Sequence, residues 1–192
     1  MVKEINKDIK DLISHIQDYN FAVIGLGETG ISIINYLIYK NAKLLKIFDT
    51  RKNPPHQEMV KNLSAFQLHF GNLNYKLFDD IDIIVISPGI SIFEPVIQKA
   101  LHNGKLVIGD IELFALETKN WKSKKIGITG SNGKTTVTTL IGYIARALGV
   151  NTLVAGNIGE PVLDSYLKII QNKEQQPSLI VLELSSFQLE ST

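Results

Sequence analysis

The sequence contains no cysteine among its 192 residues. That absence excludes a disulfide framework, a zinc–thiolate site and a cysteine nucleophile. The four histidines are scattered along the chain without the spacing of metal ligands. A chain without cysteine is typical of a reducing compartment, so we expect a cytoplasmic protein.

Long hydrophobic runs and an excess of charge are also missing. No apolar stretch approaches the roughly 20 residues that a membrane helix needs, and residues 1–20 lack the apolar segment of a signal peptide. The net charge of +1 gives no electrostatic basis for binding nucleic acid or an anionic membrane surface. We therefore expect a soluble protein with neither a nucleic-acid nor a membrane partner.

The most informative stretch begins at residue 125. Residues 125–129 form a short apolar run that predicts a buried strand, and the apolar residues after position 136 recur at helical spacing. A glycine-rich turn joins the two, so backbone N–H groups and a helix N-terminus converge on one anion site. The predicted phosphate-binding loop consists of Gly130, Ser131, Asn132, Gly133, Lys134, Thr135 and Thr136.

This loop departs from a strict P-loop, because Ile128 stands where the strict pattern has its first glycine. Lys134 can reach a terminal phosphate, and the Thr135 hydroxyl is placed to ligate a phosphate-bound Mg²⁺. The alternative is an ordinary glycine turn with a surface lysine. Gly-Lys-Thr-Thr directly after an apolar strand favours a nucleoside triphosphate site.

A second glycine motif lies near the start of the chain. Residues 21–24 predict a buried strand that leads into Gly25-x-Gly27-x-x-Gly30, and Asp49 ends the next predicted strand. In this setting the glycines admit a pyrophosphate at a helix N-terminus, and Asp49 could accept a hydrogen bond from a sugar hydroxyl. The pattern supports NAD and a UDP-sugar equally well, against the further alternative of a tight turn without a ligand.

The order of predicted elements indicates an α/β fold. We predict a Rossmann-like parallel-sheet domain over residues 1–110, followed over residues 111–192 by the start of a P-loop-type α/β ATP-binding domain. The second sheet would have only about three strands, which suggests a fragment or a chain that needs another piece. The predicted helices cover residues 4–18, 57–63, 93–102, 110–117 and 160–170, and the remaining predicted strands cover residues 66–70, 81–86, 106–108, 151–154 and 179–182.

Three residues follow predicted strands at the edge where ligands bind in such folds. Gly89 follows the strand at 81–86, Asn157 follows the strand at 151–154, and Glu183 ends the strand at 179–182. A carboxylate at a strand end downstream of a P-loop is the position of the second Mg²⁺-binding element, so Thr135 and Glu183 form a sufficient metal set. Asn157 alone is more typical of a turn.

Taken together, these motifs resemble those of the Mur ligases. The resemblance rests on six motifs: GLGETG at 25–30, DTR at 49–51, SPGI at 87–90, TGSNGKTT at 129–136, GNIG at 156–159 and ELSSFQLE at 183–190. The set is most similar to the branch that adds D-glutamate. The resemblance implies ATP-dependent amide formation in peptidoglycan synthesis, in which UDP-N-acetylmuramoyl-L-alanine is activated as an acyl phosphate and attacked by D-glutamate.

The resemblance also assigns roles to residues. It implies that Lys134 and Glu183 act in catalysis, that loop 130–136 binds ATP, and that Thr135 and Glu183 hold Mg²⁺. The implied UDP-sugar residues are Glu28, Thr29, Asp49, Thr50, Arg51, Gly89, Asn157, Ser185 and Gln188.

Family members are longer than this chain and carry a further domain that binds D-glutamate. The resemblance therefore implies that the D-glutamate site lies outside these residues and that the 192-residue chain is inactive alone. Two alternatives stay open. An NAD-dependent oxidoreductase is indicated by the first glycine motif and Asp49 taken alone, but leaves loop 130–136 unexplained. A non-catalytic nucleotide-binding module is indicated by the short length of the chain, which lacks the later strands that an ATP domain needs.

Overall fold

Two parallel β-sheets organise the chain in the computed structural model, which describes residue 9, residues 12–61 and residues 66–191. The first sheet has the strand order β3-β2-β1-β4-β5, and the second has the order β6-β8-β7. The predicted α/β fold with parallel sheets is confirmed. The strands are β1 (Asn20–Ile24), β2 (Leu44–Asp49), β3 (Gln67–Phe70), β4 (Ile83–Ile86), β5 (Leu106–Gly109), β6 (Lys124–Ile128), β7 (Thr152–Gly156) and β8 (Leu179–Glu183).

Helices cover the sheets, and none in the described part of the chain is long and apolar enough to cross a membrane. Three short 3₁₀ turns occupy Leu12–Ser14, Ile16–Asp18 and Tyr75–Phe78. The α-helices are α1 (Glu28–Tyr39), α2 (Gln57–Lys61), α3 (Pro95–His102), α4 (Asp110–Glu117), α5 (Lys134–Ala147), α6 (Val162–Gln171) and α7 (Ser186–Glu190).

The first sheet reverses its order at β1, which pairs with β2 on one side and β4 on the other. Val23 in β1 lies opposite both Ile47 and Val85, and all three side chains are buried. Strands buried on both faces explain the continuous apolar runs in the sequence. Because the crossovers leave in opposite directions at β1, a crevice opens beyond the carboxyl ends of β1 and β4.

The second sheet corrects one prediction, because residues 125–129 do not form a buried strand. β6 is present, but it pairs with β8 alone, and four of its five residues are exposed. The central strand β8 is the buried one. Among the described residues nothing covers the outer side of β6. Several large apolar side chains on and after α5 are likewise exposed, namely Val137, Leu140, Tyr143, Ile144 and Leu148.

The helix predicted over residues 4–18 is wrong only in its second part, because residue 9 is helical in the structure. Residues 1–8, 10 and 11 lie outside the described part of the chain, and residues 12–18 form two 3₁₀ turns rather than an α-helix. His15 interrupts them with φ −126° and ψ 22°, a non-helical conformation. Leu12 and Ile16 still bury their side chains in the core, which accounts for the helix-like spacing of apolar residues.

The helix predicted over residues 110–117 has the predicted bounds, and several other elements appear with shifted ends. The helix predicted over residues 93–102 begins at Pro95, a residue suited to a first helical turn because its fixed φ is helical and its missing N–H needs no partner there. The helix predicted over 160–170 begins after Pro161. The helix predicted over 57–63 is seen to Lys61, and residues 62–65 lie outside the described part.

The two sheets meet where β5 runs into α4. The backbone N–H of Gly109 donates to the carbonyl oxygen of Ser191 at 2.9 Å, and the Gln188 amide donates to the Asp110 carboxylate at 3.4 and 3.5 Å. A Cβ on Gly109 would collide with the Ser191 hydroxyl, so glycine permits this approach. The division into domains at residue 110 stays a prediction, because Asp110 lies within this contact.

Asp110 should make stability depend on pH. Burial raises the pKa of Asp110 to about 6, and hydrogen bonds from Gln188 and backbone N–H groups offset only part of that rise. Because the pKa of Asp110 is higher in the folded than in the unfolded protein, the folded protein holds the carboxyl proton more tightly between about pH 4 and pH 6. Asp110 therefore lowers the free energy of unfolding as the pH rises from about 4 to about 6.

We therefore expect Asp110→Asn to raise the free energy of unfolding at pH 7.5 by about 1–3 kcal/mol. The gain should vanish below about pH 4, where the native carboxyl is already neutral. Urea unfolding of both proteins across this pH range measures the difference. An equal difference at every pH would contradict the assignment.

Candidate functional site

A cavity of about 470 Å³ opens at the carboxyl edge of the first sheet, at the crevice beside β1 and β4. Residues that follow β1, β2 and β4 line one side, and residues from the second sheet line the other. Eight of the nine predicted UDP-sugar residues border it: Glu28, Thr29, Asp49, Thr50, Arg51, Gly89, Asn157 and Gln188.

The first glycine motif brings a helix N-terminus to this cavity. Gly25 has φ +100°, and a Cβ on Gly30 would collide with the Gly25 carbonyl oxygen. These two glycines let the loop turn tightly against α1. Gly27 caps α1 without any side-chain hydrogen bond, and the space beside its Cα is open. The first N–H groups of α1 thus face an open space that suits an anion.

Asp49 lies beneath this loop with both carboxylate oxygens occupied. Oδ2 accepts from the Leu26 backbone N–H and from Arg51 Nη2, each at 2.7 Å. Oδ1 accepts from the backbone N–H and from Nε of Arg51, each at 2.8 Å. The residue is only 1% exposed. Its predicted role as an acceptor for a sugar hydroxyl therefore competes with four bonds inside the protein.

The Arg51 guanidinium is held by the Asp49 carboxylate and faces solvent. Burial pushes the pKa of Asp49 upward, but hydrogen bonds from Arg51 and the Leu26 N–H outweigh it, so the net pKa lies below the usual range. The same hydrogen bond raises the pKa of Arg51. The Arg51 side chain remains 53% exposed at the edge of the cavity. A fixed guanidinium beside a helix N-terminus is suited to phosphate.

Sequence reasoning missed four residues that border the cavity: Ser87, Pro88, Ile90 and Gly156. The signal was available, because all four lie inside the SPGI and GNIG motifs. Gly156 has φ +111°, and a Cβ there would collide with the Glu183 carbonyl. Glycine at this position lets the turn after β7 lie directly against β8.

The second glycine loop leads into α5. Gly133 is the N-cap in a left-handed conformation with φ +76°, and no side chain caps the helix. The Lys134 ammonium donates to the Gly130 carbonyl at 2.8 Å and so folds back over its own loop. Ser131, Asn132, Thr135 and Thr136 are exposed. The loop therefore presents unpaired N–H groups and hydroxyls to solvent, as an anion site requires.

Glu183 lies at the carboxyl end of the central strand, opposite both Ile128 and Gly156. Its side chain is buried, and Oε1 accepts from the Asn157 amide at 3.0 Å. Oε2 is buried without any hydrogen-bond partner in the described part of the chain. A buried carboxylate oxygen without a donor is an available ligand for a cation.

No group of three or more His, Cys, Asp or Glu side chains that could hold a metal occurs within the described residues. Mg²⁺ needs few protein carboxylates, because it keeps several waters and binds substrate phosphates. Glu183 thus fits a Mg²⁺ whose remaining ligands come from a hydroxyl, phosphate and water.

Ser185 is the predicted UDP-sugar residue that does not border the cavity. Its hydroxyl accepts from the Gln188 N–H at 3.2 Å, and Gln188 Oε1 accepts from the Ser185 N–H at 3.0 Å. This reciprocal pair is a capping box that starts α7. Ser185 therefore caps α7 and does not line the cavity. The Gln188 amide borders the cavity and also contacts Asp110.

The Asp49–Arg51 pair predicts a measurable stability effect. Asp49→Asn removes the charge that holds Arg51 and Leu26, and it should lower the free energy of unfolding at pH 7 by about 1–3 kcal/mol. Because the folded pKa lies below the unfolded value, the contribution is complete above about pH 4 and is lost as the pH falls through the folded pKa.

Urea unfolding at pH 7 and below pH 3 measures this loss, with the exposed Asp79→Asn as the matched control. The control should change stability by less than about 0.5 kcal/mol. Equal effects of the two substitutions at pH 7 would contradict the role given to Asp49.

Comparison with known proteins gives two family matches. Residues 19–109 match the family described as Mur ligase MurD-like, N-terminal domain, and residues 128–192 match the Mur ligase middle domain. A UDP-N-acetylmuramoylalanine–D-glutamate ligase of Nitrosomonas eutropha is 46% identical over 179 residues, and one of Coxiella burnetii is 45% identical over 171 residues. These alignments cover 91% and 88% of this chain.

The chain spans 38% and 36% of the lengths of these two relatives. Among solved structures, a pseudomurein peptide ligase type C from Methanothermus fervidus aligns with a TM-score of 0.45 at 24% identity, over 88% of this chain and 33% of that chain. The two domain matches and the identity to the relatives agree with each other. The chain therefore belongs to the Mur ligase family, with a MurD-like N-terminal domain followed by residues of the middle domain.

Proposed function

We propose that this protein is an ATP-dependent ligase of peptidoglycan synthesis that joins D-glutamate to UDP-N-acetylmuramoyl-L-alanine. The observation that carries the proposal is the cavity in which eight predicted UDP-sugar residues meet from both sheets. Relatives of 45–46% identity named for this reaction support it. The activity is proposed for the protein as a whole, and we expect the 192-residue chain alone to bind substrate without turnover.

The geometry favours a UDP-sugar over NAD. A ribose diol of NAD would need free oxygens on Asp49, but both oxygens of this carboxylate accept hydrogen bonds from the Leu26 N–H and from Arg51. The N-terminus of α1 and the half-exposed Arg51 guanidinium both suit the two phosphates of a nucleoside diphosphate. No comparison supports the oxidoreductase or the non-catalytic alternative.

Asn157 and Gln188 give the cavity its second wall. A sugar attached to the diphosphate would extend from the α1 side toward these two amides. We propose that they orient the muramoyl-alanine portion and bring its carboxylate toward the loop after β6. The pairing of Gly156 with Glu183, and of Ile128 with Glu183, places the cavity wall and that loop at the same sheet edge.

ATP is proposed to bind at loop 130–136, whose open helix N-terminus and exposed Thr135 suit a triphosphate. Lys134 would exchange its bond with the Gly130 carbonyl for a phosphate oxygen. The γ-phosphoryl group passes to the alanine carboxylate, the amine of D-glutamate then attacks the acyl carbon, and phosphate leaves. Positioning and charge neutralisation supply most of the catalysis in such transfers.

Mg²⁺ fits the residues present. Thr135 and Glu183 would hold it, and when bound it would neutralise negative charge on the phosphates. The observation that supports this fit is Glu183 Oε2, which is buried and has no hydrogen-bond partner among the described residues. Asn157 holds the other oxygen at 3.0 Å and so keeps the carboxylate in one orientation. The D-glutamate site is proposed to lie outside these residues.

Isothermal titration tests the ligand assignment. We expect saturable binding of UDP-N-acetylmuramoyl-L-alanine and none of NAD. Arg51→Ala should weaken binding roughly 10- to 100-fold, because it removes charge-assisted hydrogen bonds to phosphate. The neighbouring exposed Lys52→Ala is the matched control and should leave the affinity within about twofold.

Binding of NAD alone would contradict the proposal and support the oxidoreductase. Equal weakening by Arg51→Ala and Lys52→Ala would leave the UDP-sugar assignment standing, but it would remove the specific role of the Arg51 guanidinium in favour of general charge attraction.

A further inference from the structure

Glu117 joins three helices at the side of the molecule where the two sheets pack together. Its Oε1 accepts from the Tyr36 hydroxyl and from the Lys40 ammonium, each at 2.7 Å. Its Oε2 accepts from the Tyr166 hydroxyl at 2.7 Å. Tyr36 belongs to α1, Lys40 caps its C-terminus, Glu117 ends α4, and Tyr166 belongs to α6. We call these four residues the Glu117 cluster.

The cluster is shielded from water. Tyr36 is fully buried, Tyr166 is 6% exposed, and the side chain of Glu117 is 6% exposed. The two tyrosine rings meet edge to face with centroids 6.1 Å apart, and Trp121 stacks on Tyr166 at 6.0 Å. Burial raises the pKa of both tyrosines, and the adjacent Glu117 raises it further, so both hydroxyls stay donors.

Both helices that Glu117 connects also lead to the cavity. α1 starts at Glu28, which borders the cavity, and Tyr36 lies eight residues further on, about 12 Å along the helix axis. α6 follows the turn that contains Gly156 and Asn157, which form part of the opposite wall. The distance between the cavity walls therefore depends on how α1 packs against α6.

Other polar contacts also join the two sides of the cavity, among them the 2.9 Å bond from the Gly109 N–H to the Ser191 carbonyl. The Gln188 amide reaches the Asp110 carboxylate at 3.4 and 3.5 Å, against 2.7 Å for each bond of the Glu117 cluster. The apolar contacts between α1 and α6 are non-directional, so the hydrogen bonds of the Glu117 cluster add a direction that these contacts lack. A buried carboxylate bonded to three donors has a defined geometry and a large penalty for losing a partner.

We infer that Glu117 is a positioning residue, which fixes α1 against α6 and thereby sets the spacing between the two walls of the cavity. The inference rests on the proposed function and deepens it. A ligand that touches only the α1 wall does not sense this spacing. A nucleoside diphosphate whose attached sugar reaches Asn157 and Gln188 does.

Two ligands separate positioning from general stability. UDP occupies the α1 wall alone, whereas UDP-N-acetylmuramoyl-L-alanine spans both walls. We expect Tyr166→Phe, which keeps the ring and deletes one hydroxyl, to weaken the spanning ligand roughly 2- to 30-fold while leaving UDP within about twofold. Glu117→Gln should act in the same direction. Titration calorimetry of the 192-residue chain measures both affinities.

Lys46→Met is the control, because it removes polar contacts between β2 and residues 77–80, which are not among the residues lining the cavity. The Lys46 ammonium donates to Asp80 at 2.6 Å and to the Leu77 carbonyl at 3.1 Å. It should lower the melting temperature without changing the ratio of the two affinities. Melting curves of all variants show whether each one is folded.

An unchanged ratio in folded Tyr166→Phe and Glu117→Gln would overturn the inference. A parallel loss of both ligands, with the same pattern in Lys46→Met, would overturn it as well, since that is the signature of a merely structural role. If the unsubstituted chain binds neither ligand, the proposed function itself fails and the inference fails with it. If every variant binds UDP, the α1 wall of the cavity is intact, and a change in affinity for the spanning ligand alone then tests the positioning role of Glu117.

Discussion

The Asp49 carboxylate holds together the part of the molecule on which the site depends. Its bonds to the Leu26 N–H and to three N–H groups of Arg51 tie the loop after β1 to the end of β2. With the loop held in this way, the N-terminus of α1 faces the cavity without a cap, and the Arg51 guanidinium stands beside it. In the proposed function, the Asp49 carboxylate positions the Arg51 guanidinium for a phosphate and does not accept a hydrogen bond from a ribose. This arrangement of Asp49 is the feature that favours the proposed UDP-sugar over NAD at a glycine motif that suits both.

In the second sheet, the Glu183 carboxylate also lies between two parts of the proposed site. Glu183 ends the central strand between the loop after β6 and the turn after β7, so one carboxylate borders both the proposed ATP loop and the proposed sugar wall. Asn157 fixes one of its oxygens and leaves the other without a donor. The two loops that are proposed to bind phosphate come from different sheets. The geometry of a reaction between their ligands therefore rests on how the sheets pack, and on the contacts of Glu117 with α1 and α6.

Much of this fold and of the cavity was predictable from the sequence. Parallel strands bring their carboxyl ends to one edge, so residues after successive strands, such as Arg51, Gly89 and Asn157, meet there without any knowledge of side-chain packing. What the sequence does not reveal depends on tertiary partners. The apolar run in β6 predicted burial, but burial needs neighbours on both sides, and β6 has one. Likewise, the hydrogen bonds of Glu117 come from tyrosines on two helices that are distant in the chain. Ser185 is a different case, because its capping box with Gln188 is local and follows the S-x-x-Q pattern of the sequence.

The most direct test of the account is a crystal structure of the chain with UDP-N-acetylmuramoyl-L-alanine bound. We predict the diphosphate at the first N–H groups of α1 and against the Arg51 guanidinium, with the Asp49 carboxylate still bonded to Leu26 and Arg51. The sugar should extend toward Asn157. The central claim is that Asp49 holds the loop after β1 and that Arg51 contacts the ligand. A ribose hydroxyl bonded to Asp49, with Arg51 released from that carboxylate, would contradict it. A ligand bound outside this cavity would contradict it as well.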